Sequence, residues 1–174
     1  MELDLAPRIA GKLSGHGDFH FTHLNPQGEQ IDEWDIHNLA VNQGLNDILQ
    51  VYFQGGTQKP SWFMGLFQGN YAPVASDTAA NWAANATECS SYSNATRPAW
   101  TPAAPAAQII TNTAAPSTFT FTAIVTLYGA AIVSNNVIGG TAGVLFSEAQ
   151  FPTPKLVGVG DQLLVTYSYT IASD

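Results

Sequence analysis

Apolar and polar residues alternate one for one along several stretches of this chain, and that period points to half-buried β-strands. Near the C-terminus Leu163, Val165, Tyr167 and Tyr169 interleave with Leu164, Thr166, Ser168 and Thr170. Phe119, Phe121, Ala123 and Val125 interleave in the same way with Thr118, Thr120, Thr122 and Thr126. Threonine on the wet side is a good strand residue and keeps that side soluble. Between Lys12 and Leu24, His16, Asp18, His20 and Thr22 take one side and Phe19, Phe21 and His23 the other. Asn25-Pro26-Gln27-Gly28 is a turn with proline preset at its second position. It leads into a second run, Ile31, Glu33, Asp35 and His37 against Asp32, Trp34 and Ile36. The two runs make a β-hairpin.

One segment breaks this period. Leu45, Ile48, Leu49 and Tyr52 fall at i, i+3, i+4 and i+7, which predicts an amphipathic helix over about residues 42–54. Asn42 is the expected N-cap and Gly55-Gly56 the stop. Trp62 to Phe67 then reads as a buried strand. Residues 68–111, rich in Ala, Asn, Ser, Thr and Pro, form a long ordered loop in which Asp77 to Trp82 opens one or two helical turns. Beyond it, Leu127–Val133 continues a strand through a bulge at Gly129 or starts a new one. Val144–Phe146 is a short strand, and Pro152 and Pro154 break the run. Seven to eight strands, one helix and one long excursion predict a mainly β fold: an antiparallel β-sandwich or jelly roll. The expected layout is an N-terminal arm, residues 1–11, and a single domain over 12–174.

Composition narrows the function. Only 10% of the 174 residues are charged and the formal net charge is −8. Five Lys and Arg cannot assemble the basic patch that displaces counterions from nucleic acid, and the same deficit disfavours anionic membranes. Cys89 is the sole cysteine, so no intrachain disulfide framework exists. The sequence MELDLAPRIAGK lacks the basic start and apolar core of a signal peptide. Without that signal the sequons at Asn85 and Asn94 carry no weight.

The candidates for chemistry are few. His16, Asp18 and His20 project from one strand face about 7 Å apart in succession, and Glu33, Asp35 or His37 comes opposite if the hairpin pairs in register. Such a set has the donor chemistry of a zinc site. The competing reading is a solvated polar face, the ordinary outer side of an antiparallel strand, and it carries more weight, so no metal or other cofactor is expected. No nucleophile elbow, zincin helix or phosphate loop occurs. Asp32 and Glu33 face opposite ways on a strand and cannot act as a glycosidase pair. Cys89 has no adjacent base. Arg97 is expected to pair with a carboxylate or with loop carbonyls. Trp82, Tyr92 and Trp100 either stack on carbohydrate or plug the long loop onto its own sandwich. The plug is favoured, because a loop this long needs anchors to offset its ordering entropy.

From about residue 36 onward the order of short motifs resembles a family. Asn38-Leu39, Asn42-Gln43-Gly44-Leu45-Asn46, Trp62-Phe63-Met64-Gly65-Leu66 and Thr96-Arg97-Pro98-Ala99-Trp100 are similar to small structural proteins of tailed-bacteriophage virions. Val159-Gly160-Asp161-x-Leu163-x-Val165-x-Tyr167 fits the same pattern. The resemblance implies a non-enzymatic virion protein, foremost a capsid decoration or cement protein that bridges coat subunits. Its partners would be the major capsid protein or other virion proteins, with Trp82, Tyr92, Arg97 and Trp100 as expected contacts. Repetition by capsid symmetry implies a homo-oligomer, a dimer or trimer. The alternatives are a tail or head-fibre component that binds host glycans, and a soluble carbohydrate-binding β-sandwich.

Overall fold

The computed structural model describes residues 13–173, and the expected arm of residues 1–11 lies outside them. The chain runs β1 (Leu13–Leu24), β2 (Gln30–His37), β3 (Leu39–Ala40), α1 (Asn42–Phe53), β4 (Trp62–Phe67), α2 (Trp82–Asn85) and β5 (Ala99–Trp100). It continues through β6 (Ile109–Thr111), β7 (Ser117–Thr120), β8 (Val125–Val133), β9 (Leu145–Val157) and β10 (Gln162–Ser173). Two antiparallel five-stranded sheets result. One is ordered β2-β1-β10-β6, with β7 also paired to β10, and the other β3-β9-β8-β4-β5. The fold is mainly β and sandwich-like, as the alternation requires.

Strands β1 and β10 pair without a register shift from Leu13 opposite Ser173 to Leu24 opposite Gln162. That register puts Phe19 opposite Tyr167 and Phe21 opposite Val165 on the inner face, where they meet Leu66, Ile132 and Phe151 of the other sheet. Gly17 stands opposite Tyr169, and a Cβ there would collide with the Tyr167 hydroxyl. The missing side chain thus admits a tyrosine ring across the strand. Asn38 Nδ2 donates to that Tyr167 hydroxyl at 2.7 Å while Asn38 Oδ1 accepts from the Gly17 amide at 2.8 Å.

The far edge of β10 serves β7 over Gln162–Val165 and β6 over Ser168–Thr170. Between these stretches the buried Asn112 side chain acts in place of a strand. Its Nδ2 donates to the Val165 carbonyl at 3.2 Å and its Oδ1 accepts from the Tyr167 amide at 2.7 Å. His23 ends the inner face of β1, 2.8 Å from Asp161. Burial pushes the Asp161 carboxyl up, but the Gly158 amide and His23 outweigh it and hold the group below its ordinary value.

Four expectations are corrected. The helix starts at Asn42 itself, with Val41 as N-cap and no side-chain cap bond, because the Val41 carbonyl already accepts from Leu45. The helical turn expected to open within Asp77 to Trp82 comes later, as the four-residue helix Trp82–Asn85. The strand expected from Phe119 to Val125 stops at Thr120, and Ala123 and Ile124 face solvent. Pro152 and Pro154 do not end a strand. Between the pairs Leu127–Lys155 and Gly129–Gln150, β8 advances two residues and β9 five. The prolines occupy that bulge, where no ladder amide is required of them.

The second sheet is covered on its outer face as well. Phe67, Ala131, Val133 and Leu145 form a second core with Ala79, Trp82 and Ala86 of the loop that follows β4. Gly129 lets β8 and β9 close here: a Cβ would strike both the Phe67 ring and the Ala149 carbonyl. Gly129→Ala is expected to destabilise the protein by about 1–3 kcal/mol through overpacking, read as a lower urea midpoint at unchanged slope.

Candidate functional site: an apolar trough beside the helix

Helix α1 carries the apolar stripe that its sequence period announces, yet the fold leaves most of that stripe uncovered. Gly44 is the buried contact, set against the Phe146 backbone so closely that any side chain there would collide. This docks the first turn on β9 and points the later turns outward. Leu49 is 54% exposed, Tyr52 79% and Phe53 73%, and the Tyr52 and Phe53 rings pack edge to face at 4.9 Å on the surface. Ile48 alone turns partly inward, toward the main core.

Beside the stripe runs a trough. One recess of about 280 Å³ lies between α1 and the ends of β1 and β10, floored by Tyr169 and Ile171. A second, of about 510 Å³, shares Tyr169 and Ile171 and continues over Ile109 and Ile110 of β6. A third, of about 180 Å³, joins both through Ile48, Ile110 and Tyr169 and opens onto Trp62, Trp100 and Phe146. A fourth, of about 350 Å³, extends past the two tryptophans to Lys59, whose ammonium lies 3.0 Å from Asp47. Among the described residues no other charged side chain lines these recesses. A surface of this kind binds by removing apolar area from water, at roughly 25 cal/mol per Å².

The expected contact residues occupy different places. Trp82 is fully buried in the second core, with its ring under the Arg97 guanidinium at 5.2 Å. Arg97 is buried with Glu88: its Nε donates to one carboxylate oxygen at 2.6 Å and an Nη to the other at 2.8 Å. Its other Nη donates to the Asn135 carbonyl at 2.7 Å, and Glu88 also accepts from the Gly139 amide at 2.6 Å. Arg97 thus takes both a carboxylate and loop carbonyls. Tyr92 is buried edge-on against Phe119 at 5.0 Å, and burial pushes its hydroxyl far up. As partner contacts these three are corrected to internal anchors, and that is the favoured plug reading for Trp82 and Tyr92 and the expected pairing for Arg97. Trp100 alone reaches the trough, while its indole nitrogen donates to the Tyr167 carbonyl at 3.1 Å. Exposed Leu49, Tyr52 and Phe53 are what sequence reading missed as surface, since helical period marks an apolar face without saying what covers it.

The hairpin pairs as anticipated, with Asp18 opposite His37 and His20 opposite Asp35. His20 Nδ1 lies 2.8 Å from Asp35 and its Nε2 3.4 Å from Glu33. His37 pairs with Asp18, and His16 stands opposite Thr170. Among the described residues no three such side chains are arranged to hold a metal ion. Cys89 is buried, and that burial pushes its thiol up. No protein-family model matches the chain, and no curated protein matches it.

Removing Arg97 tests the anchor role. Arg97→Ala leaves Glu88 buried and unpaired and is expected to cost about 3–5 kcal/mol. A double-mutant cycle with Glu88→Gln, read by urea unfolding, should show strong coupling between the two positions.

Proposed function

We propose that this chain is a non-enzymatic virion structural protein, a decoration or cement protein that seats its α1 stripe and trough against a coat subunit of the capsid. The observation that carries the reading is the uncovered, nearly uncharged apolar face of α1 beside the trough. Large contiguous apolar patches on soluble chains mark surfaces that something else covers. Exposed aromatic residues are the side chains that anchor interfaces. The low charge of the chain supports the same reading, since a coat contact here desolvates few ions. Bridging two coat subunits requires a second contact per particle, which a dimer or trimer of this chain supplies by symmetry.

The glycan-binding reading draws on Trp62 and Trp100 at the tryptophan end of the trough. It loses Trp82 and Tyr92, which are inside.

Co-sedimentation with coat shells assembled from the capsid protein of the same virus tests the proposal. The wild-type chain is expected to bind at fixed stoichiometry. Tyr52→Ala with Phe53→Ala should weaken binding by roughly 30-fold or more, the loss typical of buried aromatic anchors. Because both rings are exposed, the double variant should keep its stability within about 0.5 kcal/mol per site. Equal binding by wild type and variant removes α1 from the interface. No binding by either, with retention on a glycan array lost in Trp100→Ala, moves the protein to the sugar-binding reading.

A further inference from the structure

The second core contains one group that does not belong in an apolar layer. Glu148, on β9, is fully buried, and neither of its carboxyl oxygens has a hydrogen-bond partner. Its neighbours in register are Ala131 on β8 and Leu39 on β3, neither of which titrates. The polar group facing it across the layer is the carboxylate of Asp77, in the loop that covers this sheet. Asp77 is buried too, and it already accepts from two donors. The Tyr71 hydroxyl reaches its two oxygens at 2.8 and 2.9 Å, and the Val74 amide donates at 2.9 Å. Among the described residues no Lys, Arg or His pairs with either acid.

Two ionised carboxylates cannot share a dry site, because each is an acceptor and each repels the other's charge. A proton on one of them turns the pair into a donor and an acceptor. Asp77 already accepts from Tyr71 and Val74. Glu148 has no donor at all, which favours its neutral form. The proton therefore belongs on Glu148.

We propose that Glu148 is a neutral carboxylic acid in the folded protein, that its O–H donates to Asp77, and that this hydrogen bond latches residues 71–86 onto the second sheet. Loss of the proton to solvent at higher pH leaves two buried anions. The loop then lifts and Phe67, Ala131 and Leu145 lose their cover. The direction of titration agrees. Burial first, and the Asp77 charge second, push the Glu148 carboxyl up to about 8. Tyr71, the other titratable group turned toward the pair, stays protonated, since burial and Asp77 push its hydroxyl up as well. The sign follows from the raised value. The folded protein keeps a proton that the unfolded chain releases near the ordinary glutamate value of about 4.3. Stability thus falls as pH rises from there and levels off near 8.

Hydrogen exchange read by mass spectrometry between pH 6.5 and 9.5, normalised to intrinsic rates, tests the latch. Protection of peptides within residues 71–86 is expected to fall by up to tenfold per pH unit as pH rises toward the Glu148 transition near 8 and to level off above it, with the β1–β10 ladder unchanged. Glu148→Gln, which donates permanently through its amide, should give a flat profile. Asp77→Asn, which supplies the donor from the other side, is the second variant in case the first does not fold. A wild-type profile that is flat, or a variant that keeps the step, overturns the proposal. So does a step abolished by calcium and restored by a chelator, since the pair would then hold a cation. An infrared carbonyl band of a protonated carboxylic acid, present at neutral pH and lost in Glu148→Gln, is the independent check; its absence from the wild type overturns the proposal too.

Discussion

The uninterrupted pairing of β1 with β10 is the constraint on which the rest of the molecule rests. Because side chains alternate across a strand, a slip of one residue would send Phe19, Phe21, Tyr167 and Tyr169 to solvent and bring His20, Asp18 and Ser168 inside. The register is fixed by more than apolar preference. Glycine at 17 is the only residue that leaves room for the Tyr167 hydroxyl, and Asn38 ties that hydroxyl to the Gly17 amide. At the other end His23 and Asp161 lock the turn that enters β10. Once this ladder is set, β2 continues it on one side, and β6, Asn112 and β7 share its other edge.

The second sheet poses a different problem, because both of its faces are apolar. One closes on the first sheet, and the other would face water if the chain did not double back over it. The long segment after β4 supplies that cover, and two very different acid contacts hold it. Glu88 meets Arg97, so two opposite charges satisfy one another with additional backbone bonds around them. Glu148 meets Asp77, so two like groups meet and a proton must make up the difference. The first contact needs no proton to balance it; the second does. The cover is therefore pinned at its Arg97 end and conditional at its Asp77 end.

How much of this could be read from the chain follows from the range of each signal. Period two fixed which residues of β1, β2 and β10 face inward, and period 3.6 located α1, because both are set by local geometry. Pro152 and Pro154 misled because a proline forbids a ladder bond only where the partner strand demands one, and the bulge in β9 removes the demand. The pairing of Arg97 was readable in kind, since an arginine in an acidic, charge-poor chain has few other uses. Its partner, nine residues upstream, was not. Glu148 gave no signal at all: its isolation depends on Ala131, Leu39 and Asp77, brought together from distant segments.

The apolar stripe of α1 shows the same limit from the other side. Leu45, Ile48, Leu49 and Tyr52 lie on one face as their spacing requires, and in most chains such a face is spent on the parent core. Here Gly44 docks the helix so tightly on Phe146 that the axis is held by its first turn. The tail of the stripe, with Tyr52 and Phe53, is left exposed. A chain that covers the outer face of its second sheet with a long loop of its own has the means to bury apolar surface. Leaving Leu49, Tyr52 and Phe53 bare is thus a local feature of how α1 docks, and Leu49 itself lines the trough. Leu45, Ile48 and Leu49 of the helix line the first recess of the trough, so the stripe and the trough form one continuous apolar surface.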